Sequence, residues 1–135
     1  MRLAALVLAL SLIPTTAGAA CLTYTERVRL EGVLERKTFP GPPNYSSVAK
    51  GDSPEVAWLL RLDARVCVDA DPADADGFSV KIEKLRLVQL APSPAELKRE
   101  AKRLGTRVTV SGKLFGAHTG HHHTAALLGE VRFEK

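Results

Sequence analysis

Ser93-Pro94-Ala95-Glu96-Leu97-Lys98-Arg99-Glu100-Ala101-Lys102-Arg103-Leu104-Gly105 is a helical stretch set among segments written in strand chemistry. Serine followed by proline, with glutamate three positions on, is a capping box with proline at the first helical position. Leu97, Ala101 and Leu104 make an apolar stripe, and Gly105 ends it. The cations Lys98, Arg99, Lys102 and Arg103 fall late, where the helix dipole favours them, and read as a solvated face.

Working outward, three strand-like stretches precede the helix (Glu26–Phe39, Val56–Val68, Phe78–Leu90) and two follow it (Arg107–Ala117, Thr124–Phe133). Apolar residues recur at period two in Val28, Leu30, Gly32, Leu34, then Val56, Trp58, Leu60, Leu62, then Val108, Val110, Gly112, Leu114. The last stretch carries Leu127, Val131 and Phe133, and Leu59 predicts partial burial on the second face of its own strand. Val80 and Ile82 change phase to Leu85 and Leu87, as a bulge would require. Strand, strand, strand, helix, strand, strand is the order of a small five-stranded oligonucleotide/oligosaccharide-binding (OB) barrel. Gly32 and Gly112 supply its bend points, whereas an immunoglobulin-like sandwich would want about seven strands and no central helix. Trp58 and Phe115 read as core, and Tyr45 as the exposed aromatic.

Residues 1–20 have the chemistry of a cleaved signal peptide. Arg2 is followed by the apolar run Leu3–Ile13, and Ala17-Gly18-Ala19-Ala20 offers small residues for cleavage after Ala19 or Ala20. The run is too short to span a bilayer, so stable membrane insertion is not expected. Residues 21–135 then form one domain with 18 basic and 15 acidic residues, a net +3. So mild an excess does not imply nucleic acid. Two cysteines remain, and an oxidising compartment favours a Cys21–Cys67 disulfide. Cys21 also sits where a lipoprotein cysteine would sit, although Gly18 stands where a lipobox carries leucine, so a lipidated Cys21 is the alternative. A Cys-x-x-Cys redox pair is absent.

Two connections stand out. The first runs Pro40-Gly41-Pro42-Pro43-Asn44-Tyr45-Ser46-Ser47, then Gly51-Asp52-Ser53-Pro54-Glu55, dense in turn formers and therefore shaped. The second is His118-Thr119-Gly120-His121-His122-His123-Thr124, which holds all four histidines. In an OB barrel the connections between strands one and two and between strands four and five flank one binding face, so these segments are expected on one rim. Three readings of the histidines compete. In one, His121 and His123 enter the fifth strand on one face, His118 reaches back from the fourth, and the three imidazoles bind zinc with Asp52 or Glu55 adding a carboxylate. His122 would then point away. In another, they are hydrogen-bonding posts that pin the first loop through Asn44, Tyr45 and Asp52. In the third they contact an external ligand, which gives Asn44, Tyr45, Asp52, Glu55, Thr119 and His122 as candidate ligand-binding residues. Asp69–Gly77 is acidic but lacks the glycine, distal glutamate and flanking helices of an EF-hand, and reads as a solvated turn.

The segments Pro-Gly-Pro-Pro-Asn-Tyr…Gly-Asp-Ser-Pro-Glu and Thr-Gly-His-His-His-Thr resemble a family of small exported bacterial proteins catalogued only as a domain of unknown function. The resemblance extends to Leu60-Arg61-Leu62-Asp63 leading to Cys67, and to Val108–Phe115, with one departure at Ala64-Arg65, where a proline is expected. It implies a periplasmic or secreted setting and adds no reaction. No G-x-S-x-G elbow, H-E-x-x-H pair or phosphate-binding glycine loop is present, so no catalytic residue is assigned. The expectation is a non-enzymatic periplasmic binding module of unknown small ligand, with zinc as its candidate metal. An inhibitor or immunity-type protein acting on an envelope enzyme is the alternative.

Overall fold

A computed structural model describes residues 18–135. The leader reading falls mostly on residues 1–17, outside the described residues. Five strands, β1 (Arg27–Pro40), β2 (Pro54–Val68), β3 (Ile82–Leu90), β4 (Arg107–Gly116) and β5 (Ala126–Phe133), close on themselves in the order β1-β2-β3-β5-β4. β1 closes the ring by pairing with both β2 and β4. The OB-like order predicted from the helix position is therefore the observed one. The seam is short: β3 meets β5 in parallel at Gln89↔Leu127 and Leu90↔Leu128.

In β1, β2 and β4 the inward residues are those of the period-two reading, except Val56, which lies at the start of β2 and is exposed. Leu30, Leu34, Leu60, Leu62, Val88, Val110 and Leu128 form the barrel core, with Trp58 packed against it. Burial of each large aliphatic contributes about 1.5–3 kcal/mol, which fixes the register because a one-residue slip would turn the whole set outward. A Cβ on Gly32 would lie 2.2 Å from the Arg61 carbonyl oxygen, so glycine there lets β1 and β2 approach through the bend.

Three expectations need correction. β3 begins at Ile82, and Phe78 and Val80 lie outside it and exposed. The expected phase break between Ile82 and Leu85 is present, with Cys67 opposite Glu83 and Lys84, but a second follows where Leu62–Arg65 of β2 lie opposite Arg86 alone, so Val88 and not Leu87 faces the core. Phe115 is absent from the core, since it alternates with inward Leu114 and Gly116 and faces out.

Helix α1 (Pro94–Glu100) keeps the predicted cap: Ser93 Oγ accepts from the Glu96 amide, and Glu96 Oε2 accepts from the Ser93 amide. After Glu100 the chain tightens into a 3-10 turn, Ala101–Arg103. The tighter winding breaks the stripe, so Leu104 packs on the core while Ala101 is exposed. Glu100 is buried instead, held by Arg99 at 3.1 Å and Arg103 at 3.0 Å.

Cys21 and Cys67 are disulfide-bonded, closing a separation of 46 residues. The bonded Cys21 is not free to carry a lipid thioether. Such a bond fits a compartment outside the reducing cytoplasm. Among the described residues no helix is long and apolar enough to cross a membrane.

Candidate functional site: two loops joined over the barrel wall

Loop 41–53 is built around a carboxylate. Asp52, 4 % exposed, accepts hydrogen bonds from the amides of Asn44 (2.9 Å), Ser46 (2.8 Å) and Ser47 (2.8 Å) and from the Ser46 hydroxyl (3.1 Å). The amides of Ser47, Ser46 and Asn44 hold its carboxyl well below the ordinary carboxylate range. Asp52 thus shapes its own loop and does not reach the histidines. Asn44 is used the same way, through its backbone.

Tyr45 and Glu55 make the joint to the second loop. Tyr45 has left-handed backbone (φ 54°), and its ring meets His121 edge-on with centroids 5.3 Å apart. Its hydroxyl lies 3.2 Å from His121 Nε2. Against the expectation of an exposed aromatic, Tyr45 is half-buried. Gly120 allows this packing, because a Cβ there would stand 2.8 Å from the Tyr45 ring. Glu55, in β2, accepts from His121 Nδ1 at 2.6 Å and from His123 Nε2 at 3.2 Å. Burial pushes the Glu55 carboxyl up, but the hydrogen bond and charge of His121, then those of His123, outweigh it and hold the group below its ordinary value.

His118 and His122 form a separate pair. Their rings stand edge-on with centroids 4.5 Å apart, and the His118 amide donates to His122 Nδ1 at 3.0 Å. His118 Nδ1 lies 2.9 Å from the Gly116 carbonyl oxygen, and its ring rests beside Phe78. His122 meets the edge of Phe115. Burial, then the charges of His118, His121 and His123, hold the His122 imidazole below its ordinary value, which suits a ring nitrogen that accepts a hydrogen bond. His122 is therefore not the idle member of the tract. Thr119 supports the turn, its carbonyl accepting from the His122 amide and its hydroxyl from the His121 amide.

The three histidines proposed as ligands are thus not gathered: His121 and His123 share Glu55, and His118 goes with His122. Among the described residues no group of three or more His, Cys, Asp or Glu side chains is arranged to hold a metal ion. Nor do His121 and His123 enter β5, which starts only at Ala126. β4 ends at Gly116 opposite Ala126, so the tract lies in the connection between the strands, where Gln89 holds it. The Gln89 side chain donates to the His121 carbonyl at 3.0 Å and accepts from the His123 amide at 2.7 Å, and its own amide donates to Thr124 Oγ1 at 2.9 Å.

The tract lies over a second apolar layer outside the barrel. Leu59, Gln89, Leu127 and Phe115 stand side by side on the outer face of β2, β3, β5 and β4. Leu59 and Leu127 are fully buried yet outside the core. Contact at Gln89 and Phe115 brings the histidines across this row, and His123 stacks flat on Phe39 at 4.2 Å, with planes 2° apart. Phe39, Phe78 and Gln89 were not singled out from the sequence. Phe39 could have been noticed as an aromatic out of phase with its strand, but nothing marks Phe78 or Gln89.

Beside the joined loops lies a cavity of about 300 Å³, floored by Val56, Trp58 and Leu97 and edged by Gln89, His121 and His122. Residues 87–132 match a family model described as Domain of unknown function (DUF4431). The matched segment runs from the end of β3 through the helix and the histidine tract to the end of β5, so the similarity to a family of unknown function holds over this part of the chain. Comparisons with curated proteins and with solved structures found no match.

Proposed function

We propose that the chain is an exported, non-enzymatic binding module whose ligand face is the groove beside the two joined loops. The observation that carries this reading is the preformed rim: loop 41–53 is fixed internally by Asp52 and fixed to the histidine tract by Glu55 and Tyr45. A pocket with an apolar floor and a few fixed polar groups, held before the ligand arrives, is the usual construction of a small-ligand site, and rigidity lowers the entropic cost of binding. Glu55, His121 and Tyr45 could in principle move a proton, but they are engaged with one another as a joint. Export rests on the leader chemistry of residues 1–20 and on the disulfide, and a periplasmic or secreted location follows from it.

Trp58 is the single tryptophan and lines the groove, so its emission reports occupancy. Native mass spectrometry of protein drawn from an envelope extract is expected to show a retained small molecule. Releasing that molecule should shift Trp58 emission, and Leu97→Glu should abolish retention. Retention of an envelope protein instead would favour the inhibitor alternative, and a bare protein with unshifted Trp58 emission would remove the module reading.

A further inference from the structure

The seam of the barrel is open for most of its length. β3 meets β5 only at Gln89 and Leu90, and among the described residues Ile82–Leu87 have ladder partners in β2 alone. A groove of about 310 Å³ runs along this edge, with Ile82 and Leu87 apolar at its base and Lys84 and Arg86 at its lips, and His123–Ala125 closing one end. Both cations are exposed, two residues apart on one strand, and among the described residues neither takes part in an ion pair, while the neighbouring Glu83 is taken by Lys81. Just before β3, Val80 is 52 % exposed and extends the apolar surface.

We propose that this edge docks an extended, acidic peptide segment of a partner protein, which adds to β3 as a further strand. Unpaired N–H and C=O groups on a strand edge are the template for β-augmentation, with alternate side chains supplying specificity. The apolar base would take every second residue of the incoming strand, and the lips would take carboxylates at the positions between. A second copy of the chain is disfavoured as occupant, because two-fold pairing of β3 with itself would bring Lys84 and Arg86 towards their own copies. Lysine on an edge can also serve only to prevent aggregation, and the experiment separates the two roles. The proposal does not depend on the loop groove holding a ligand.

The test uses the disulfide-bonded chain and a fluorescein-labelled peptide of about six alternating glutamates and valines, the common strand length. Fluorescence anisotropy should show saturable binding, absent for the peptide with lysine in place of glutamate. Lys84→Glu with Arg86→Glu should weaken it by about tenfold or more. N-methylation of alternate peptide amides should abolish it. In the unaltered protein, amide exchange at residues 84–87 should slow on peptide addition, while Trp58 emission stays constant. Affinity within about twofold after the double charge reversal, equal binding of the N-methylated peptide, or no binding up to about 1 mM would each overturn the proposal. So would Lys84→Ser with Arg86→Ser producing self-association and unchanged peptide affinity, the mark of edge protection alone.

Discussion

Glu55 joins the two loops, and Glu55→Gln is the most direct perturbation of that joint. Glutamine keeps the shape, drops the charge and presents an NH₂ group where a histidine N–H now donates. A hydrogen bond to a charged partner contributes about 1.5–3 kcal/mol when shielded. The His121 side chain is 56 % exposed, so its bond to Oε1 falls into the surface range of about 0.2–1 kcal/mol. His123 is 9 % exposed and stacked on Phe39, so its bond keeps about 1.5 kcal/mol. The expected loss is about 2 kcal/mol, a fall in Tm of roughly 8 °C for a domain of this size. Urea unfolding followed by Trp58 emission measures it, with and without EDTA. His123→Phe keeps the stack on Phe39 and removes the donor, so a double-mutant cycle with Glu55→Gln should give a coupling of about 1 kcal/mol. Stability within about 0.3 kcal/mol of the unaltered protein would refute the joint, and a loss that vanishes in EDTA would mean that a metal holds the loops.

Zinc titration of metal-free protein by calorimetry should show no binding tighter than about millimolar, since His118 lies apart from the other two proposed ligands, and tighter binding would require the tract to rearrange. Gly120→Ala should cost about 1–3 kcal/mol by forcing the Tyr45 ring away from His121, and a change in urea midpoint too small to measure would mean that the ring is not confined there. Replacing Cys21 and Cys67 by serine should lower stability by about 4 kcal/mol through the lost loop closure, read as the shift in urea midpoint against the oxidised protein. Stability should also fall with acid. Burial holds His122 below the imidazole value of 6.5, so the unfolded chain takes up the proton first. Its contribution is whole above pH 6.5 and is lost as pH drops towards the native value. Glu55, lowered from 4.5, adds a second loss below pH 4.5. A thermal midpoint that stays flat from pH 8 to pH 5 would contradict the His122 assignment.

The fold was legible because its deciding signals are local. The Ser93–Glu96 cap and the period-two runs of Val28–Leu34 and Val108–Leu114 depend on neighbours within a few residues, and they put strand ends within a few residues of those observed. The meeting of the two loops followed from topology. The pairing inside the site was less legible, because it depends on which faces lie opposite. Asp52 and Glu55 were equal candidates as carboxylate partners of the histidines. Asp52 is taken by three amides of its own loop. Glu55, already in β2 opposite Phe39, is carried by strand register to the place where His123 stacks. Gln89 holds the histidine tract through side-chain bonds to a loop, which carry no periodicity.

The tract itself shows why a histidine run need not be a metal site. It must cover Leu59 and Leu127 on the outer barrel wall and also satisfy polar groups on two loops. An aliphatic run would do the first and leave the half-buried Glu55 without its two donors, whereas a run of serine or asparagine would do the second and leave the apolar row thinly covered. Imidazole offers a flat ring for Phe39, Phe78 and Phe115 and ring nitrogens at its edge for Glu55, Gly116 and a backbone amide. Chain geometry then sorts the four. His118 and His122 meet across the turn that Thr119 and Gly120 make, while His121 and His123, two apart in the more extended part of the loop, present both side chains to one carboxylate. The spacing that suggested three ligands for one zinc ion is equally the spacing of two pairs, one gathered by Glu55 and the other by the turn at Thr119 and Gly120.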